Sequence, residues 1–85
     1  MKPKLRKNLD GSYYFHCPAC EFPHGFNQTW SFNGDLIRPT VQPSLLSKGV
    51  CRCHLFITDG KLQYLHDCDH DLAGKIIDMI AWDDD

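Results

Sequence analysis

The chain contains the stretch CHLFITDGKLQYL at residues 53–65, in which two largely apolar runs flank the dipeptide Asp59-Gly60. Asp-Gly between hydrophobic runs is a strong hairpin signal, because both central residues of a type I′ turn need a positive φ. The stretch therefore predicts two antiparallel strands joined by a two-residue turn.

The turn also sets the register of this hairpin and, with it, the side chains that share a face. The expected pairs are Thr58 with Lys61, Leu55 with Tyr64, Cys53 with His66 and Cys51 with Cys68. The more apolar face, which we expect in the core, carries Cys51, Cys53, Leu55, Ile57, Leu62, Tyr64, His66 and Cys68. The opposite face carries Arg52, His54, Phe56, Thr58, Lys61, Gln63, Leu65 and Asp67.

Two further turn signals, Asp10-Gly11 and Asn33-Gly34, lie between runs rich in aromatic residues. The second follows residues 26–32, which alternate in the manner of a strand. Three hairpins at this spacing predict a mainly β fold, a single small domain over residues 1–85.

Two segments are harder to assign from their residues. Pro39 and Pro43 bracket residues 40–42, and because proline cannot donate to a strand ladder, this segment is predicted as an edge strand or an extended loop. Residues 72–82 have apolar side chains near helical spacing, and they predict a short C-terminal helix, with a strand as the alternative.

The chain is 85 residues long, with 42% hydrophobic residues, and it contains five cysteines and five histidines. A domain of this size buries only about 60–65% of the surface that its unfolded chain exposes. An additional stabilising link, such as a disulfide or a structural metal ion, is therefore expected. No apolar run approaches 18 residues and no secretory signal is evident, which predicts a cytoplasmic protein without a membrane span. In a reducing cytoplasm, an odd number of cysteines favours metal binding over disulfides.

The motif Cys17-Pro18-Ala19-Cys20 follows a predicted strand, as the cysteine pair of a zinc knuckle does. A thioredoxin-like redox pair would need a helix beginning at the first cysteine, whereas residues 21–25 are turn-like. The hairpin register favours Cys53 and Cys68 as the other two ligands of one structural Zn²⁺. The alternates are Cys51, His54 and His70.

The formal net charge is −2 with neutral histidines, and the charges are unevenly placed. Residues 1–7 form a basic end, and residues 83–85 form an acidic tail. The tail would suit a protein partner with a basic surface, whereas the acidic balance argues against nucleic acid as the main partner.

Several segments taken together resemble a known family. They are FHCPAC at residues 15–20, WSFNGD at 30–35, RPTVQPSLL at 38–46, CHLFITDG at 53–60 and DCDHDLAG at 67–74. In this combination the chain resembles a family of small phage and prophage proteins of unknown function, some of which carry the label ammonia monooxygenase. The cysteine knuckle does not support that label, because oxygenase metals need open, nitrogen- and oxygen-rich coordination. The resemblance implies a zinc-ribbon-like β domain and a role in a phage-infected bacterium, without implying an activity.

The resemblance also bears on the site residues. It places Cys17, Cys20, Cys53, His54, Cys68 and His70 at motif positions and leaves Cys51 as an extra cysteine.

The sequence therefore predicts a non-enzymatic, zinc-binding phage accessory protein that acts as a protein-interaction module. The first alternative is a nucleic-acid-binding zinc ribbon. The second is a small metal-dependent enzyme that uses His54, His70 and either Asp59 or Asp67. No nucleophile elbow, phosphate loop or H-E-x-x-H motif is present, so no catalytic residue is assigned.

Overall fold

A computed structural model describes residues 2–49 and 52–82, and within them the chain forms two antiparallel sheets and no helix. The three-stranded sheet contains β1 (Arg6–Lys7), β2 (Tyr13–Cys17) and β3 (Phe22–Phe26), in that order. The five-stranded sheet contains, also in order, β4 (Ser31–Phe32), β5 (Val41–Ser47), β6 (Cys53–Thr58), β7 (Lys61–Tyr64) and β8 (Ile76–Asp78). The predicted fold class, a small and mainly β domain, is confirmed.

The hairpin of β6 and β7 has the predicted register near its turn. Thr58 pairs with Lys61, and the turn residues Asp59 and Gly60 have φ values of 51° and 76°. The ladder ends at Tyr64, so the predicted pairing of residues 53 and 66 is wrong. Cys53 instead pairs with Ser47 on β5.

The predicted core face of this hairpin is largely buried. Cys53, Leu55, Ile57, Leu62 and Tyr64 are each at most 1% exposed. His66, which was predicted on the same face, is exposed because it lies in the turn after β7. The first sheet contributes Phe15 and Phe26 to the same core, so the two sheets pack around one apolar cluster.

Strand β5 differs from the prediction made for the two prolines. It lies between β4 and β6 rather than at an edge, and Pro43 falls where the β5–β6 register shifts between Val41 and Leu45. Proline is tolerated at such an irregularity because the regular ladder is interrupted there. Strand β4 pairs only with Val41 and Gln42, so its ladder with β5 ends just before Ser44.

The other turn signals have mixed outcomes. The hairpin around Asp10-Gly11 is confirmed, with Arg6 paired to Tyr14. The predicted strand over residues 26–32 is interrupted, because the side chain of Asn27 accepts a hydrogen bond from the backbone of Thr29 and forms a turn.

The predicted C-terminal helix is wrong. Residues 71–74 form a turn and Ile76–Asp78 form β8, with Leu62 paired to Ile77. Cross-strand pairing with β7 therefore overrides the weak helical spacing. Cys51 and the acidic tail 83–85 lie outside the described residues. Among the residues described, no helix is long and apolar enough to cross a membrane.

Candidate functional site

A cluster of sulfur atoms lies where the end of β2 meets the start of β6. Cys17 and Cys53 are at most 1% exposed, and their Sγ atoms are 3.8 Å apart. The Tyr64 hydroxyl lies 3.2 Å from Cys17 Sγ. Strand pairing on two different sheets thus brings together cysteines 36 residues apart.

The pKa values of Cys17 and Cys53 are shifted in opposite directions. A hydrogen bond from the Cys53 thiol lowers the pKa of Cys17, and the same bond, with burial, raises the pKa of Cys53. Burial and the bond to Cys17 also raise the pKa of Tyr64. The arrangement therefore favours a thiolate at Cys17, which is the form that binds a metal.

Two more side chains complete this cluster. One ligand atom from each of Cys17, Cys20, His24 and Cys53 lies within 4.8 Å of the others. His24 is only 7% exposed, and its Nε2 makes no hydrogen bond within the described part of the chain. Cys20 takes part in a disulfide, so its use as a ligand requires reduction. These four residues could hold a metal ion, and His24 among them was not predicted from the sequence.

A second group shares Cys53 and includes Cys68 and His70, again within 4.8 Å. The Cys68 sulfur lies 3.2 Å from both the backbone nitrogen and the backbone oxygen of His54. The structure thus gathers three predicted ligands, Cys17, Cys20 and Cys53, into one group and places Cys68 beside it with the alternate His70.

The remaining alternate, His54, lies on the opposite face of β6, in a line of three hydrogen-bonded side chains. The Ser44 Oγ is 2.9 Å from His54 Nε2. On the other side of the ring, His54 Nδ1 is 3.0 Å from one Asp67 carboxylate oxygen and 3.2 Å from the other.

The charge on Asp67 determines which atom is the donor and which the acceptor in each of these hydrogen bonds. The hydrogen bond from His54, with a second from Arg52 at 3.2 Å, lowers the pKa of Asp67. An ionised carboxylate can only accept, so Nδ1 carries the proton of a neutral His54. Nε2 is then left as the acceptor for the Ser44 hydroxyl. A hydroxyl, an imidazole and a carboxylate in this order form the constellation that activates serine as a nucleophile.

The strands explain how these residues meet. Leu46 on β5 pairs with His54, and Ser44 lies two residues earlier on the same face. Asp67 follows the end of β7, in the turn beside His54. The Trp30 indole donates a 3.4 Å hydrogen bond to the backbone oxygen of Ser44, which helps to fix the strand at this residue.

Ser44 was not predicted from the sequence, and Asp67 was predicted only as part of an alternative function. The predicted outward face of the hairpin did carry both His54 and Asp67, which was the available signal. Ser44 stands in no recognisable catalytic motif, and its position depends on the irregular pairing of β5 with β6.

The chain also matches the model of a known protein family. No curated protein and no solved structure gives a significant match. The family model described as "bacterial ubiquitination-like system serine protease (BubE)" matches residues 3–65, about three quarters of the chain. The matched region includes Ser44 and His54 and ends two residues before Asp67. The prediction that the protein is not an enzyme is therefore wrong, because the family is named as a serine protease. The chain belongs to this bacterial family, BubE.

Proposed function

We propose that the protein is a serine peptidase in which Ser44 is the nucleophile, His54 the general base and Asp67 the carboxylate that orients the base. The observation that carries this proposal is the continuous hydrogen-bonded line from Ser44 Oγ through both ring nitrogens of His54 to Asp67. The name of the family supports the reaction class.

The chemistry follows from this geometry. Ser44 Oγ attacks the carbonyl carbon of the substrate amide while its proton passes to His54 Nε2, and a C–O bond forms. His54 then gives that proton to the amine as the C–N bond breaks, leaving an acyl group on Ser44. Water attacks the acyl group and loses a proton to His54. The bond to Ser44 then breaks, its oxygen regains the proton, and the carboxylic acid departs. Throughout, Asp67 stabilises the protonated ring without itself being protonated.

The substrate that we propose is a protein of a bacterial ubiquitination-like system, because the family is described as the serine protease of such a system. This replaces the non-enzymatic interaction module expected from the sequence, and it makes the substrate the protein partner. The acidic residues 83–85 would favour association with this substrate if its surface is basic. The cytoplasmic location and the phage association stay predictions from the sequence.

A fluorophosphonate probe tests the proposed nucleophile directly, since it forms a covalent bond to an activated serine. We expect peptide mass spectrometry to find the label on Ser44, and we expect Ser44→Ala to abolish it. Ser47→Ala, three residues along the same strand, is the matched control and should keep the label. Labelling of the Ser44→Ala protein at the wild-type rate would refute the assignment.

We also propose that, once the disulfide of Cys20 is reduced, the cluster of Cys17, Cys20, His24 and Cys53 holds one structural Zn²⁺. A tetrahedron with Zn–S bonds of about 2.3 Å has edges of about 3.8 Å, and the Sγ atoms of Cys17 and Cys53 are 3.8 Å apart. The buried Nε2 of His24 makes no hydrogen bond in the described part of the chain, and a zinc ion bound through this atom would give the atom a partner. Four protein ligands leave no open position, so the ion would stabilise the fold and take no part in the reaction.

The fourth ligand proposed here differs from the Cys68 expected from the sequence. The Cys68 sulfur already accepts a hydrogen bond from the His54 backbone N–H and donates one to the His54 carbonyl. Cys68 is grouped with Cys53 and His70 rather than with Cys17 and Cys20. His24, in contrast, is grouped with the other three ligands.

A further inference from the structure

A shallow groove of about 500 Å³ lies beside Ser44 on the outer face of the five-stranded sheet. It is lined by Thr29, Ser31, Gln42, Pro43 and Phe56. Pro43 is bonded to Ser44, and Phe56 lies two residues from His54 on the same face of β6. The groove is therefore lined by residues that neighbour the proposed nucleophile and base along β5 and β6.

The hydrogen bonds of the triad show on which side of Ser44 the base lies. His54 and Asp67 occupy the side of Ser44 that faces β6 and β7. The reacting carbonyl carbon has to come within about 3–3.5 Å of Ser44 Oγ. A carbonyl group that approaches from the side of the groove would place the side chain next to the scissile bond in the groove.

The residues that line the groove favour one chemical class of substrate side chain. The half-buried ring of Phe56 and the ring of Pro43 provide apolar surface, and the other lining residues are uncharged. A charged side chain would lose water there without gaining an opposite charge, which is unfavourable. An apolar side chain would be favoured because it removes apolar surface from water.

We propose that this groove is the specificity pocket of the peptidase and takes an uncharged, apolar side chain of the substrate next to the scissile bond. This inference rests on the proposed function, so the experiment has to separate the two.

Diphenyl phosphonates that carry a leucine, lysine or glutamate side chain, or none, provide the probes. In each reaction a P–O bond forms to Ser44, a P–O bond to phenoxide breaks, and the proton of Ser44 passes through His54 to the departing phenol. We expect the leucine probe to label wild-type Ser44 at least about tenfold faster than the lysine or glutamate probe. Equal rates, or a faster charged probe, would overturn the pocket. Absence of Ser44 labelling by every probe, including the one without a side chain, would instead contradict the proposed function itself.

Two variants identify the groove as the source of the selectivity. Phe56→Ala should slow the leucine probe about tenfold relative to the probe without a side chain. Gln42→Glu adds a carboxylate to an exposed wall of the groove, so it should raise the rate of the lysine probe relative to leucine about tenfold, without disturbing the core. Thr58→Glu places the same charge at the far end of β6, outside the lining, and should change neither ratio. If Gln42→Glu and Thr58→Glu gave the same ratios, the groove would not be the pocket.

Discussion

The sulfur of Cys68 lies 3.2 Å from the backbone nitrogen of His54 and 3.2 Å from its backbone oxygen. This contact joins the two parts of the site, because Cys68 follows Asp67 in the chain and His54 follows Cys53. The base and the carboxylate of the proposed triad are thus each bonded to a cysteine of the two groups that could hold a metal ion. The contact ties the backbone of His54 to the residue that follows Asp67.

Replacing Cys68 tests this connection. Cys68→Ala leaves the His54 backbone N–H without its acceptor, which we expect to lower the free energy of unfolding by about 1–3 kcal/mol. Because the His54 backbone loses its hydrogen bonds to the Cys68 sulfur, kcat/KM should also fall by about tenfold or more under conditions where the variant is fully folded. Chemical denaturation and peptidase kinetics measure the two effects. Cys68→Ser keeps a donor and an acceptor and should lie between wild type and alanine, whereas full activity in Cys68→Ala would contradict the connection.

Asp67→Asn tests the orienting carboxylate. An asparagine can donate to His54 Nδ1 and so favours the tautomer with its proton on Nε2, which then cannot accept the proton of Ser44. We expect kcat to fall by about 10⁴-fold, with the fold retained by circular dichroism. Asp69→Asn removes the same charge two residues away, in the same segment, and should cost far less activity. Similar losses of kcat in both variants would mean that the loss of a negative charge lowers the activity, and not the loss of the hydrogen bond that orients His54.

Part of this site could be read from the sequence. Asp59-Gly60 has the positive φ values that its turn demands, so the register of β6 and β7 near the turn was predictable from local chemistry. Alternation then put His54 and Asp67 on one outward face. That expectation holds for His54, whereas Asp67 reaches His54 from the turn after β7, beyond the end of the ladder.

The remainder depends on contacts between residues distant in the sequence. Ser44 reaches His54 only because β5 pairs with β6 and shifts register at Pro43, a feature that no local pattern encodes. His24 was missed for a similar reason, since it reaches the cysteines through the pairing of β2 and β3, in which it lies opposite Phe15. Residues 76–78 form a strand because they pair with β7. This pairing outweighs the near-helical spacing of the apolar side chains in the segment.

Acid should weaken the loop before β5 through Asp35. The backbone N–H groups of Arg38 and Ile37 donate to the Asp35 carboxylate and hold its pKa below the ordinary value of 3.8. A carboxyl whose folded pKa is lowered contributes stability above its unfolded pKa, and that contribution is lost as the pH falls through the folded value. The excess stability of wild type over Asp35→Asn should therefore be constant from pH 7 to about pH 5 and shrink below about pH 4. Urea denaturation across this range measures it, with Asp71→Asn as the charge control. A difference that stayed constant down to pH 2 would contradict the assignment.

Removal of His24 distinguishes the two candidate ligand sets of the metal site. Binding of structural Zn²⁺ contributes about 10–16 kcal/mol in small zinc-finger peptides, as much as the whole stability of a typical domain. If His24 is the fourth ligand, His24→Ala should bind zinc far more weakly and lose its ordered fold at low zinc. Cys68→Ala should keep one equivalent of tightly bound zinc. Elemental analysis gives the stoichiometry, and the visible spectrum of the Co²⁺-substituted protein reports whether a tetrahedral site has formed. His16→Ala, on β2 near the cluster but outside both groups of possible ligands, is the matched histidine control. The reverse result, with zinc lost from Cys68→Ala and kept by His24→Ala, would assign the four-cysteine set and exclude His24.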